Sequence, residues 1–356
     1  MKVAVLGYGT VGSGVVEILK EKEDVEVKWV YNRPNPIKQA KLGSLYTNDL
    51  NVILNDKEID VIIEVLGGMV AYPIIKDALN HHKHVITANK DVVALYIDEL
   101  VLLAKKNQVM VLFEASAGGG LPIIRNICDV VKSDEILEIC GILNGTTNYI
   151  LTRMQNEEIT FENALKAAQE SGFAEADPTN DIEGLDMVRK IGILTMLATN
   201  SKIDINEIYH YGIGGVNAQF IKGIQKDNKV LKLVARALIG EELQIIVEPV
   251  VLDRNHMFAS IINANNGIMV MCKNHAQLFF GGLGAGKVPT ASAVIDDLYM
   301  IKGMDNYLHY SGENVFHVSS LKELNDYYVL DDNQVILKKK ISRDEAKKHQ
   351  FYARVI

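Results

Sequence analysis

The chain opens MKVAVLGYGTVGSGVVEILKE: a short apolar run, Lys2 to Leu6, breaks into glycines and passes at once into a helical pattern. Gly7, Gly9 and Gly12 stand in the spacing G-x-G-x-x-G between a strand signal and a helix signal, the context that gives this spacing meaning. Gly7 permits a tight turn, Gly9 lets backbone approach a pyrophosphate, and Gly12 lets helix pack closely on strand. The first helical turn, from Thr10 and Val11 onward, offers N–H groups that have no partner inside the helix and suit an anion. Such a beginning commits the chain to an α/β architecture with this loop at the carboxyl end of the first strand.

The same alternation runs through residue 135. VEVKWVYN, IDVIIEVLGG, HVITANK and QVMVLFEASAGGG read as further strands, with AYPIIKDALNHH and YIDELVLLAKKN as helices between them. Continuous apolar strands separated by helices argue a parallel sheet covered on both faces. Residues 1–135 are therefore expected to form a Rossmann-type nucleotide-binding domain, whose strand ends, Gly67 among them, face the ligand. The second strand should read the adenosine ribose, yet it ends WVYNRP without a carboxylate. Arg33 there either pairs with a 2′-phosphate, which favours NADP over NAD, or is a solvated loop residue.

After GLPIIRNICDVVKSD the texture changes. Helices are expected in FENALKAAQESG, in GLDMVRKIGILTMLATN and from Lys222 to Ile239; ILEICGILNGT, LQIIVEPVVL, NGIMVMCK and AQLFFGGLG read as strands. This is a second, α+β domain over 136–286 with a mixed or antiparallel sheet, expected to serve catalysis and dimerisation. The helix at 287–303 is expected to complete the first domain, and 310–356 reads as a short charged tail.

Composition narrows the function. A formal charge of −8 gives no electrostatic reason to bind nucleic acid or an anionic membrane. No apolar run approaches the ~20 residues of a membrane span, and the N-terminus turns to glycine too soon for a signal peptide. Cys128, Cys140 and Cys272 have neither metal-ligand spacing nor an even count for a disulfide framework. A cytoplasmic protein acting on a small molecule is the expectation.

The stretch DPTNDIEGLDMVRK, Asp177 to Lys190, concentrates four acids and two bases just before an apolar helix. Asp186 and Lys190 lie four apart and so share a helix face. Spacing alone is equally compatible with a surface pair worth ~0.2–0.5 kcal/mol. Against that, the helix continues IGILTMLAT, apolar on nearly all sides, so an acid and a base entering it are expected to face a cleft. Glu175, Asp177 and Asp181 add an anionic approach suited to a substrate ammonium group.

Taken together, these residues resemble homoserine dehydrogenases. The likeness rests on GYGTVG, on ITANK at 86–90, FEASAGGGLPII at 113–124 and GILNGTTNYIL at 141–151. It continues with GFAEADPTNDIEGLDMVRK at 172–190 and GLGAGKVPTASAVIDDL at 282–298. The resemblance implies reversible, NAD(P)-dependent hydride transfer between L-homoserine and L-aspartate 4-semialdehyde, in threonine and methionine biosynthesis. It implies Lys190 as proton donor and base, Asp186 as the residue that holds substrate and orients Lys190, and Glu175 as the ammonium acceptor. Asp181 is implied as a further acid beside that pair, Gly145 and Thr146 as backbone contacts to substrate, and Lys90 as a contact to cofactor and substrate. Gly286 is implied to close over the cofactor. EASAGGGLP is implied to bind sodium or another monovalent cation through the Glu114 carboxylate and the carbonyls of Ala117, Gly119 and Leu121; a glycine hinge is an equal reading of the same loop. Relatives form homodimers through the second domain's sheet, so a homodimer is expected.

Two departures stand out. Phe173 occupies a position where many relatives carry tyrosine, and the tail is too short for a whole C-terminal ACT domain that binds threonine, so inhibition through such a module is expected to be weak or absent. DYYVLDDNQVILKKKI within the tail reads either as a degenerate remnant of such a domain or as a strand pair that serves dimerisation. Of the rivals, an aspartate-semialdehyde dehydrogenase needs an activated cysteine, and none of the three is placed for it. An amino-acid dehydrogenase shares the nucleotide loop but not the Asp186/Lys190 arrangement. A non-catalytic nucleotide sensor would have no use for Lys90, Asp186 and Lys190 together.

Overall fold

The computed structural model describes residues 1–320, 323–332 and 334–356. Its chain divides into two compact units: 1–133 with 196–202 and 285–315, and 134–195 with 203–284 and 316–356.

The first unit is built on six parallel strands: β1 (Lys2–Leu6), β2 (Glu26–Tyr31), β3 (Tyr46–Thr47), β4 (Val61–Glu64), β5 (His84–Thr87) and β6 (Val111–Leu112). Their order, β3-β2-β1-β4-β5-β6, is that of a doubly wound dinucleotide-binding sheet. Val3, Val5, Ile63, Val85 and Ile86 are fully buried, as strands covered on both faces require. The helices are α1 (Thr10–Leu19), α2 (Pro36–Leu42), α3 (Leu50–Leu54), α4 (Ala71–Asn80), α5 (Lys90–Lys106) and α6 (Ile123–Val130). The helix expected from Tyr96 starts a turn and a half earlier, because Asn89 accepts a hydrogen bond from Val92 N and caps it; a kink at Tyr96 marks where the apolar pattern began.

The second unit carries α7 (Gly145–Glu157), α8 (Phe161–Glu170), α9 (Thr179–Ile182) and α10 (Leu185–Thr199), whose residues from Met196 belong to the first unit. Its sheet contains β7 (Ile136–Ile142), then, after a two-residue strand of the first unit, β8 (Ser201–Lys202), come β9 (Tyr209–His210), helix α11 (Ala218–Gln225), β10 (Lys229–Ile239), β11 (Leu243–Asp253), β12 (Asn265–Cys272) and β13 (Gln277–Leu283). The chain then returns to the first unit with α12 (Lys287–Lys302) and β14 (Asn314–Val315), which pairs with β8. It ends in the second with β15 (Asn325–Asp331), β16 (Gln334–Ile341), α13 (Arg343–Ala346) and β17 (Phe351–Val355).

Two expectations are corrected. Lys222 to Ile239 is not one helix: α11 ends at Gln225, Asn228 takes a positive φ of 57°, and β10 follows as an eleven-residue strand paired along its whole length with β11. KVLKLVARALI is buried on both faces, so it lacks the two-residue alternation that betrays a half-exposed strand. The segment set apart as a tail is part of the second unit: β15 and β16 form the strand pair that is one of its two readings, and in the order β13-β12-β7-β10-β11-β17-β15-β16 they and β17 continue the sheet from β11. Tyr327, Val329, Phe351 and Ala353 are fully buried there. The buried Glu248 carboxylate on β11 meets Arg354 Nε at 2.5 Å and Arg343 Nε at 3.4 Å, which fixes charge as well as packing.

Candidate active site

One candidate site, in the first unit, is the glycine loop. Gly7 takes φ +107°, and a Cβ there would stand 2.6 Å from Val65 O. A Cβ on Gly12 would fall 1.9 Å from Gly7 O, so this position admits no side chain. Gly9, by contrast, has open space around it and lies exposed at the start of α1, with no side-chain cap on the helix. The exposed Thr10 and half-buried Val11 follow in the uncapped first turn. Such a cradle leaves both room and N–H donors for a diphosphate.

At the end of β2, Asn32 Oδ1 accepts from Tyr8 N at 3.4 Å and from Lys38 Nζ at 3.1 Å, while Arg33 is exposed. Lys41 lies over the Tyr8 ring, 5.5 Å from its centroid. The end of β2 is thus basic, and Lys38 and Lys41 escaped the sequence reading because they sit on α2 rather than on the strand.

Gly67 and Gly68 both take positive φ, 75° and 67°, in the loop after β4. Gly286, at φ +125°, precedes α12, and α12 packs on α1: a Cβ on Gly14 would lie 2.9 Å from Lys287 O. That packing brings Gly286 to the side of the glycine helix. Lys90 opens α5, directly after the buried Asn89.

The loop over 114–121 is held by its own hydrogen bonds. Glu114 is buried, and its carboxylate oxygens accept from Ile124 N and Arg125 N, each at 2.8 Å. Free N–H groups at the start of α6 draw the carboxylate to themselves, so it caps that helix. Burial pushes its pKa up to about 7 against those two hydrogen bonds. Asp297, wholly buried on α12, accepts from Glu114 N and Tyr307 Oη and is raised well above the usual carboxylate range by burial. Ala117 and Leu121 are buried, and Gly119 takes φ +63° in the same loop. Leu121 O already accepts from Ile123 N.

A second candidate site, in the second unit, lies where β7 meets α7. Asp186 and Lys190, on α10, are 3% and 9% exposed, and Lys190 Nζ stands 2.8 Å from Asp186 Oδ2. This is no solvated surface pair. The ammonium also donates to Leu143 O at 2.8 Å.

The adjacent Asn144 is a residue the sequence reading missed. Its Nδ2 donates to Asp181 Oδ1 at 2.6 Å and to Asp186 Oδ2 at 2.9 Å. Its Oδ1 accepts from Thr147 N at 2.8 Å, capping α7. The cap fixes which way the amide faces, so Asn144 can only present its donor to the two acids. The signal lay in N-G-T-T, a cap residue ahead of a helix.

Gly145 opens α7, where a Cβ would meet Ala264 O at 2.7 Å, and Thr146 donates its hydroxyl to Phe173 O at 2.6 Å. Phe173 itself is exposed, with its ring 4.8 Å from that of Tyr149. Glu175 is exposed on the loop that follows. Asp177 accepts from Thr179 N and Oγ1, which hold its carboxyl below the usual range; it shapes the turn ahead of α9.

The three thiols are buried, with Cys128 and Cys140 each pushed up to about 12 by burial and Cys272 raised for the same reason. Acyl-enzyme chemistry on cysteine has no foothold here.

A doubly wound sheet with a glycine cradle, joined in one chain to a unit bearing a buried lysine–carboxylate pair, defines the class: a nicotinamide-dependent oxidoreductase. The family models are more particular, matching residues 122–299 as homoserine dehydrogenase and 7–114 as the homoserine dehydrogenase NAD-binding domain. The homoserine dehydrogenase of Bacillus subtilis is 38% identical over 315 residues, 85% of this chain and 72% of that protein. That of Synechocystis is 40% identical over 319 residues, with 85% and 74% covered. Among solved structures, a homoserine dehydrogenase from Thiobacillus denitrificans superposes with a TM-score of 0.88 at 26% identity, covering 100% of this chain and 98% of that one. A hyperthermophilic archaeal homoserine dehydrogenase in complex with NADPH gives 0.74 at 25% identity, with 86% and 99% covered. The chain belongs to the homoserine dehydrogenase family, and its reaction is the NAD(P)-dependent interconversion of L-homoserine and L-aspartate 4-semialdehyde.

Proposed function

We propose that Lys190 is the proton donor to the aldehyde oxygen of aspartate semialdehyde, and the base toward the homoserine hydroxyl in reverse. The observation that carries this reading is the buried ammonium group. Among the described residues it has two partners, Asp186 and Leu143 O, while an ammonium has three N–H donors. The third is left for a substrate oxygen. Asp186 keeps the lysine oriented, and Asn144 keeps Asp186 oriented. Glu175 and Asp181 receive the substrate ammonium. The first N–H groups of α7, from Gly145 and Thr146, receive its carboxylate. Lys90 contacts substrate and cofactor.

A bound nicotinamide supplies or takes up the hydride. Gly7, Gly9, Thr10, Val11, Gly12, Gly67 and Gly286 would hold its dinucleotide. Arg33, with Lys38 and Lys41 nearby, favours the 2′-phosphate of NADP over NAD. The Glu114 carboxylate and the backbone carbonyls of Ala117, Gly119 and Leu121 would hold a monovalent cation such as Na+; rates in sodium against a bulky organic cation test this. β13 forms the edge of its sheet with Phe279 and Leu283 exposed, which supports a homodimer through the second unit, to be weighed by light scattering. Among the described residues no helix is long and apolar enough to cross a membrane, in keeping with action in the cytoplasm.

The deciding experiment is Lys190→Ala. It should lower kcat by about 10²–10⁴, the usual worth of a positioned acid–base group, with NADPH affinity near normal. A variant that keeps near wild-type kcat removes Lys190 from the chemistry.

A further inference from the structure

Glu64, the last residue of β4, is 0% exposed and belongs to none of the roles above. Its Oε1 accepts from Leu66 N at 2.7 Å and Gly67 N at 3.3 Å. The backbone there turns through Gly67 and Gly68, both at positive φ, so successive N–H groups converge on the carboxylate as on a bound anion. Its Oε2 accepts from Thr87 Oγ1 at the end of β5. Thr87 Oγ1 in turn accepts from Asn89 N at 3.0 Å, and Asn89 Nδ2 donates to Gly68 O at 2.8 Å. The hydrogen bonds close a ring: Glu64, Thr87, Asn89, Gly68 and back along the chain to Glu64. Asn89 Oδ1, still within this set, caps α5 through Val92 N at 3.2 Å, and Lys90 is the first residue of that helix.

We infer that Glu64 is a positioning residue: through Thr87 and Asn89 it locks the Gly67–Gly68 loop to the start of α5, setting the cofactor-side loop and Lys90 as one unit. The inference rests on the reading of the glycine loops and Lys90 given above. Its physical basis is that parallel strands β4 and β5 align their ends by register, Glu64 opposite Thr87, but register alone does not fix the loops beyond them. A buried carboxylate with three donors does, because any loop movement would leave it unsatisfied. Gly67 and Gly68 are exposed, and neither has a neighbour within 4 Å of its Cβ position, so side-chain packing at these two positions adds nothing to the restraint the ring supplies.

The test uses Thr87→Val, which removes the hydroxyl linking Glu64 to Asn89 while preserving shape, Thr87→Ser, which restores it, and Glu64→Gln. Thr87→Val and Glu64→Gln should each weaken NADPH binding and lower kcat by about tenfold or more, the worth of a hydrogen bond to a charged group. Thr87→Ser should stay within about twofold of wild type on both. If Thr87→Val and Glu64→Gln lower only the melting temperature, with NADPH Kd and kcat measured well below it and unchanged, the ring is structural and the inference fails. Gly12→Ala separates the underlying reading: if it binds NADPH like wild type, the cradle assignment itself falls, whatever Glu64 does.

Discussion

Replacing Asn144 by aspartate changes one NH₂ to an oxygen and little else in volume. The α7 cap survives, since the new carboxylate would still accept from Thr147 N as Asn144 Oδ1 does at 2.8 Å. What is lost are the bonds from Nδ2 to Asp181 at 2.6 Å and Asp186 at 2.9 Å. Hydrogen bonds to charged groups are worth about 1.5–3 kcal/mol each, so about 3–6 kcal/mol of local order is removed. A third carboxylate then faces the other two, and part of the loss is recovered as Asp181, already half exposed, swings toward water. If half of the total reaches the transition state, kcat/KM falls by about 10–10².

Initial rates of NADPH oxidation with aspartate semialdehyde, the reverse rate with homoserine, and NADPH affinity by fluorescence together make the assay; affinity should stay constant. An Asn144→Asp protein with kcat/KM within about threefold of wild type would refute Asn144 as the organiser of these acids.

Three further outcomes follow from the geometry. Glu175→Gln should raise the substrate KM with kcat little changed, because an exposed ammonium acceptor contributes binding rather than chemistry; an equal fall in kcat would argue otherwise. Glu114, with its pKa raised from 4.5 to about 7 by burial, binds its proton more tightly folded than unfolded. Its contribution to stability is therefore full below about pH 4.5 and lost as pH rises through 7, on the order of 3 kcal/mol, and denaturant titrations of wild type and Glu114→Gln across that window should differ in slope. Arg354→Met should destabilise the second unit by about 3 kcal/mol, since it leaves Glu248 buried with only Arg343 at 3.4 Å; a shift in denaturation midpoint measures it.

The sheet of the first unit was legible because β1, β4, β5 and β6 are short apolar runs that end in small or polar residues, and β2, though it carries Glu26 and Lys28, keeps β-branched and aromatic residues beside them. β3 is two residues long and leaves no pattern to read. In the second unit periodicity gave the wrong answer for Lys229–Ile239, where a strand buried on both faces uses leucine, alanine, arginine and lysine, residues equally at home in a helix. β15 and β16 could be read as a strand pair, but not their place in the core sheet nor β17: Tyr327, Val329 and Phe351 are core, while the lysines of β16 gave the segment a solvated look. Within the candidate site, charged residues in a compact motif, Asp186 and Lys190, could be picked out by spacing. Asn144 and Glu64 could not, since their partners lie 37 and 42 residues away for the first and 23 for the second, and only the fold brings them together.

The helix that flanks the glycine loop comes late in the chain. α12 packs on α1 through Gly14 and Ala291, and Lys287 pairs with Glu17 at 2.6 Å, yet most of the second unit is encoded between them. On a ribosome adding ~5–20 residues per second, the nascent sheet would wait on the order of ten seconds for its covering helix. Until then one flank of α1 is bare, so nascent chains halted before Lys287 should be sensitive to proteases and attractive to chaperones.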